Sequence, residues 1–224
     1  MRWSYAGLTG IRVSHDGPPS PAVTASLLAL RDRLSKKWPQ GLTDCVLGYH
    51  TLTLFFDPEE LSRDAVVAAI DDLDSNQEIQ PDMGRTVELP VWYSEESGED
   101  LQAVAQNSGL SMEAVIRLHS SRPYNAYATG FAPGFCYLGD VDEQLEIPRL
   151  RTPRRFVPAG SVAIADRQTA VYPKDSPGGW HLLGRCPLTL FDLGQTPPGL
   201  IAVGDQVVFK PISRDEFFSL GGSL

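Results

Sequence analysis

The sequence predicts an α+β protein in two unlike parts, a small half of mixed strands and helices followed by a larger all-β half. Three observations carry this. Glycine and proline, 20 and 18 of the 224 residues, are unevenly spread, with five of them in residues 20–80 and nineteen in residues 123–200. In the first part apolar residues recur at helical spacing between short alternating runs. Beyond Ser120 the helical period disappears, and short apolar pieces alternate with Pro/Gly turns, as in a compact barrel or sandwich.

Residues 2–14 read as one edge-like strand with Gly7 and Gly10 as bulges. Ser20-Pro21 starts a helix, proline being tolerated where the N–H has no intrahelical partner, and Leu27, Leu30, Leu34 and Trp38 follow on one face until Pro39 and Gly41 stop it. Residues 43–48 and 50–56 read as two tightly joined strands. Asp57-Pro58-Glu59-Glu60 has the form of an N-cap with a capping-box glutamate, opening a second helix through Leu61, Ala65, Val66, Ala69 and Ile70. After the loop at 76–85 comes a strand over Thr86–Trp92. This βαββαβ order is ferredoxin-like, with a boundary near residue 85. Domains are thus expected at 1–85, a docking or structural unit, and 86–224. Short helices are expected at 98–107 and 111–119. The β pieces are Val162–Ala165, Ala170–Tyr172, Trp180–Leu183, Leu188–Phe191 and Gln206–Phe209.

Composition narrows the function. Hydrophobic residues are 42% and charged residues 21%, enough apolar surface for a core without staples. The formal charge of −9 disfavours a grip on nucleic acid or an anionic membrane. No apolar run reaches the length of a membrane span and the first residues lack a signal-peptide core, so the expected location is the cytoplasm. Cys45, Cys136 and Cys186 have no paired spacing and read as reduced structural thiols. Neither they nor the four histidines have zinc-ligand spacing. A phosphate-binding P-loop and a nucleophile elbow are also missing, and Ser161 reads as a turn serine.

What chemistry the sequence offers lies in loops. Thr129–Gly139 (TGFAPGFCYLG) mixes glycines, which allow close backbone approach, with rigid prolines and three aromatics. Such a loop can present N–H groups in a concave array fit for an oxyanion or carboxylate, or it can be a rigid turn packed under aromatics. Arg149, Arg151, Arg154 and Arg155 crowd into seven residues punctuated by prolines, a stiff presentation of guanidinium groups suited to a carboxylate or phosphate. Tyr172-Pro173 through Trp180 repeats the aromatic, proline and diglycine pattern. Among the histidines His119 stands out, at the end of a short helix just before Pro123.

Four ordered stretches, GFAPGFCYLG (130–139), TPRRFVPAGSVAIA (152–165), QTAVYPKDSPGGWHLLGR (168–185) and GDQVVFKPISRDEF (204–217), together resemble the family of B-type subunits of 5-oxoprolinase. That family is also called allophanate hydrolase subunit 1, and includes an inhibitor of a sporulation histidine kinase. The chain departs from it at Ala163-Ile164-Ala165-Asp166 and at His181. The resemblance implies a cyclophilin-like β-barrel after the small α/β domain. It also implies a component of a complex that uses ATP to hydrolyse 5-oxoproline to glutamate, and since the sequence offers neither a nucleotide cradle nor an obvious acid/base pair, the isolated chain is expected to be inactive. The expected partners are a homologous larger β-rich subunit of C type and a third of A type. ATP serves the complex, with no nucleotide motif and no metal in this chain. On that basis Phe131, Phe135, Tyr137 and Trp180 are expected to wall the substrate pocket. Gly134 would offer backbone donors, Arg149 or Arg154 would hold the carboxylate, and His119 would serve in proton transfer or positioning. The β domain is expected to make most of the partner contact. Two other functions fit the resemblance: inhibition of a sensor histidine kinase, and a carboxyltransferase-like role in urea or allophanate processing.

Overall fold

The computed structural model describes residues 1–74 and 84–224, with Leu73 and Asp74 as backbone only. The chain divides into two compact units, Met1–Met83 and Gly84–Leu224. Most of the loop expected at 76–85 lies outside the described residues.

The first unit has strands β1 (Arg2–Tyr5) and β2 (Gly10–Ser14), helix α1 (Pro21–Lys37), strands β3 (Leu42–Leu47) and β4 (Thr51–Phe56), and helix α2 (Arg63–Asp74). Its sheet is antiparallel in the order β1-β2-β4-β3. Two expectations are corrected here. Residues 2–14 form a hairpin, because Gly7 at φ 80° turns the chain where the sequence suggests a bulge. The order is therefore ββαββα, and Thr86 onward belongs to the other unit. Asp57 does not cap α2: its carboxylate accepts from the N–H of Glu59, which closes a turn over 57–60, and Ser62 caps the helix through the N–H of Ala65. Ser20 caps α1 as expected, accepting from Val23. Leu27, Leu30 and Leu34 of α1, Val66 and Ile70 of α2 and Ile11, Val13, Leu52 and Leu54 of the sheet are all buried. Each such side chain contributes about 1.5–3 kcal/mol of burial.

The second unit opens with β5 (Thr86–Val91), helices α3 (Leu101–Ser108) and α4 (Met112–Ser120), then β6 (Tyr124–Thr129), β7 (Cys136–Gly139), β8 (Arg154–Val157), β9 (Ser161–Ala165), β10 (Gln168–Val171), β11 (Ser176–Gly178), β12 (His181–Arg185), β13 (Gln206–Pro211) and α5 (Arg214–Ser219). Seven strands make one sheet in the order β12-β9-β10-β7-β6-β13-β5, and β8 pairs with β11 apart from it. Trp92, just past β5, exchanges two 2.9 Å backbone hydrogen bonds with Arg185 at the end of β12, which brings the outer strands together and nearly closes the sheet. Glycine is required at this seam, since a Cβ on Gly184 would lie 2.5 Å from the Trp92 carbonyl oxygen. Residues 188–191, expected as a strand, contribute a single bridge, Phe191 to Gly199.

The two faces of β9 show how the sequence divides the interior. Val162 and Ile164 enter the main core with Leu89, Leu138 and Phe209, while Ala163 and Ala165 lie in a second cluster with Phe135, Tyr172 and Trp180. Both faces are covered, so the strand reads as a continuous apolar run. The alanines leave room for rings. Cys136 and Cys186 are buried free thiols, their pKa values pushed up by desolvation to about 12 and about 11, and so they stay protonated. No described helix is long and apolar enough to cross a membrane.

Candidate functional site

The loop between β6 and β7 is the centre of the site. Its backbone is tied at two places, Gly130 N–H to the Phe135 carbonyl (3.2 Å) and Phe135 N–H to the Ala132 carbonyl (3.0 Å). Phe131 is held at φ 71°, a left-handed conformation that side chains other than glycine seldom adopt. Gly134 has φ 83°, and a Cβ there would lie 2.7 Å from Phe191 Cβ. Among the described residues the N–H groups of Phe131, Ala132 and Gly134 make no hydrogen bond.

Phe135, 2% exposed, is the hub of an aromatic box. Its ring meets Phe131 at 5.1 Å, Tyr137 at 4.9 Å, Tyr172 at 5.5 Å and Trp180 at 5.9 Å between centroids, each edge to face. The favourable quadrupole geometry makes this box rigid as well as apolar. Tyr172 is buried, which raises its hydroxyl pKa and keeps it a neutral donor. The Arg149 guanidinium stands 5.7 Å over the Trp180 ring, and its ion pair is a 3.7 Å contact with Asp166, both groups more than half exposed. Such a pair is worth about 0–1 kcal/mol, so the guanidinium is available to a ligand.

Two cavities flank Phe131. One, of 160 Å³, is lined by Phe131, Phe135, Tyr137, Tyr172 and Trp180, with Arg149, Leu150, Pro153 and Gly178-Gly179. The other, of 530 Å³, runs between the loop Thr129–Gly134 and Phe191, Gly199 and Ile201. Among the described residues no Asp, Glu or His lines either one, and no cluster of three or more His, Cys, Asp or Glu could hold a metal ion.

The structure brings together Phe131, Phe135, Tyr137, Trp180 and Arg149 around one cavity and puts Gly134 on its neighbour. Two expected residues fall elsewhere. Arg154 is spent on structure: it pairs with Glu99 (2.5 Å) and Asp100 (2.6 Å) and donates to the Trp180 carbonyl (3.2 Å). Asp100 also accepts from the N–H of Leu182, so the network ties the start of α3 to β12. His119 is wholly buried in the main core, where no substrate reaches it. Thr169 Oγ1 donates to the Ala163 carbonyl and therefore accepts from His119 Nε2 (2.8 Å), which leaves Nδ1 to accept from the Tyr93 hydroxyl (2.7 Å). Both ring nitrogens are satisfied in one neutral tautomer, and burial lowers the pKa to about 3. The ring packs 4.5 Å from Phe209, so His119 fastens α4 to the barrel. Sequence reading omits Tyr172 from the site, although its place in the second aromatic, proline and diglycine stretch is the signal that marks it.

A family model described as carboxyltransferase domain, subdomain C and D, matches residues 1–201, which sets the class. The B-type subunit of 5-oxoprolinase from Escherichia coli O157:H7 is 38% identical over 206 residues, 92% of this chain and 93% of that protein. The protein of the same name from Bacillus subtilis (strain 168) is 40% identical over 188 residues, 79% of this chain and 78% of its own. The chain belongs to this family of 5-oxoprolinase B-type subunits. Among solved structures, that of TTHA0988 superposes with a TM-score of 0.81 at 39% identity, covering 91% of this chain, which spans 40% of that longer chain. Likeness to the Kluyveromyces lactis urea carboxylase, at 17% identity with a TM-score of 0.73 over 97% of this chain and 22% of that one, extends to the fold alone.

Proposed function

We propose that the chain is the B-type subunit of an ATP-dependent 5-oxoprolinase complex, which opens the lactam of 5-oxoproline to L-glutamate. The observation that carries this reading is the pair of cavities around Phe131, one an aromatic box with an available guanidinium, the other edged by backbone N–H groups unpaired among the described residues. A small ring bearing a carboxylate suits the first. The aromatic faces take the ring and Arg149 takes the carboxylate as a bidentate pair. At 160 Å³ this cavity is smaller than the ~300–1,000 Å³ of sites for drug-sized ligands, and a nucleotide does not fit it.

A lactam carbonyl is a poor electrophile, and ATP supplies the phosphoryl group that makes its oxygen a leaving group. With ADP released, water adds to the carbon and the ring C–N bond breaks to give the acyl phosphate of glutamate, from which a second water releases glutamate and phosphate. The part of this chain is to bind the ring, fix the carboxylate, and set the N–H groups of Phe131, Ala132 and Gly134 toward the charge that develops on oxygen. The lack of an acid or base lining either cavity among the described residues supports a division of labour in which the nucleotide site and the proton-transfer groups come from the larger C-type and the A-type subunits.

Reconstitution tests the reading. The chain alone, given ATP and 5-oxoproline, is expected to release no glutamate, and the three-component complex to release it. Arg149→Ala in that complex is expected to raise KM about 10–100-fold with kcat little changed, the loss of a charged hydrogen-bond pair made equally in ground and transition states. Glutamate from the isolated chain, or an unaltered KM, overturns it.

A further inference from the structure

We infer that the strip Arg149–Phe156 is the face on which the larger subunit docks, and that it recognises an acidic surface with an apolar socket. The inference rests on the proposed function in requiring a partner subunit. On a chain of net charge −9, this strip carries four arginines and no acid. Arg154 is neutralised by Glu99 and Asp100, but Arg151 and Arg155 are exposed and make no ion pair among the described residues, and Arg149 has the weak contact with Asp166. Two guanidinium groups without an ion pair among the described residues, and a third only weakly paired, therefore lie on one short segment punctuated by Pro153 and flanked by Pro148 and Pro158. Phe156, beside them on β8, is 59% exposed. β8 pairs with β11 alone, outside the seven-stranded sheet, and its second edge is unpaired among the described residues.

Arginine and aromatic residues are the types enriched in interface cores and hot spots. Opposite charge both steers such a partner and fixes its register. A nucleic acid would satisfy the guanidinium groups but leaves the exposed phenylalanine without a socket and meets the repulsion of the whole chain's negative charge. A second copy of this chain would need an exposed acidic patch of its own opposite the strip. Because Arg149 and Pro153 line the aromatic cavity, a partner seated on the strip also covers the mouth of that cavity.

The test uses the full chain and the purified larger subunit, with the dissociation constant measured by calorimetry at low and at physiological ionic strength. Wild type is expected to bind, more weakly as salt rises. The double reversal Arg151→Glu with Arg155→Glu is expected to weaken binding about 30-fold or more and to flatten the salt dependence, with unchanged thermal stability. Phe156→Ala is expected to weaken it roughly 10-fold while keeping the salt dependence. Arg12→Glu, at an exposed position on the first unit, is the control and is expected to have little effect. If the double reversal binds as wild type does, this face is wrong and the complex stands. If wild type does not bind the larger subunit, both proposals fall. A dimer of the chain that the double reversal dissociates, or an oligonucleotide that displaces the larger subunit, also overturns the assignment.

Discussion

Two of the aromatic clusters in the barrel unit are of similar size and opposite character. Around His119, Tyr93, Tyr124 and Phe209 are buried, and every polar atom of the histidine ring has a partner. Around Phe135, one ring is 61% exposed on a left-handed backbone, neighbouring N–H groups are unpaired among the described residues, and a guanidinium hangs over Trp180. The first cluster has finished its chemistry in folding. The second keeps strain and unpaired donors that a ligand can use, which is how binding sites differ from cores built of the same residues.

The largest effect that sharpens this contrast is on stability. His119→Ala is expected to cost about 3 kcal/mol, from the cavity and from the Tyr93 hydroxyl left without its acceptor, while activity per folded complex is retained. Thermal melts beside specific activity check it, and a stable but inactive His119→Ala protein would erase the distinction. The same residue sets a pH dependence. Its folded pKa is depressed to about 3 from 6.5, so the unfolded chain binds the proton first. Stability is full above pH 6.5, declines on acidification from there, and levels off below about 3. In a folded His119→Gln variant, melting temperatures across that window should fall less steeply.

Next in size is Arg154→Ala. It leaves the buried Asp100 without its cation and is expected to cost about 2–3 kcal/mol, at the low side of a broken buried pair because Arg154 is partly exposed. Urea denaturation measures this. A change in KM without loss of stability would return Arg154 to the substrate site.

The smallest effect has the opposite sign. Phe131→Gly removes the strained φ and is expected to raise stability by up to about 1 kcal/mol while lowering kcat/KM of the complex. If instead the variant is less stable and fully active, the Phe135 cluster is a core like the other one.

Much of this architecture is legible from residue types at short range. The caps of Ser20 and Ser111, the apolar run of β9 and the Gly-Pro-aromatic stretches at 130–139 and 172–180 announce themselves within a few positions. Sequence reading fails where the deciding partner is distant. Nothing near Arg154 reveals that Asp100, 54 residues earlier, claims its guanidinium, and nothing near His119 reveals Thr169, 50 residues later. Thr86–Val91 is counted into the ferredoxin-like order, although the expected domain boundary already separates it, because a strand's pattern says that it pairs, not with what.

That last strand has a consequence in time. β5 pairs in parallel with β13, Thr86 beside Gln206, so the partners lie 120 residues apart, and the Trp92–Arg185 bridge joins positions 93 apart. At synthesis rates of about 5–20 residues per second, roughly 6–24 s pass between the appearance of the two strands. The first unit, whose sheet pairs all lie within residues 2–56, has its whole sheet long before. Throughout that interval Val87, Leu89 and Val91, all buried in the finished barrel, lack the strand that covers them. Non-local pairing of this kind is slow and exposes nascent apolar strands to aggregation, so the yield of the protein in a cell depends on how well β5 is shielded until β13 arrives.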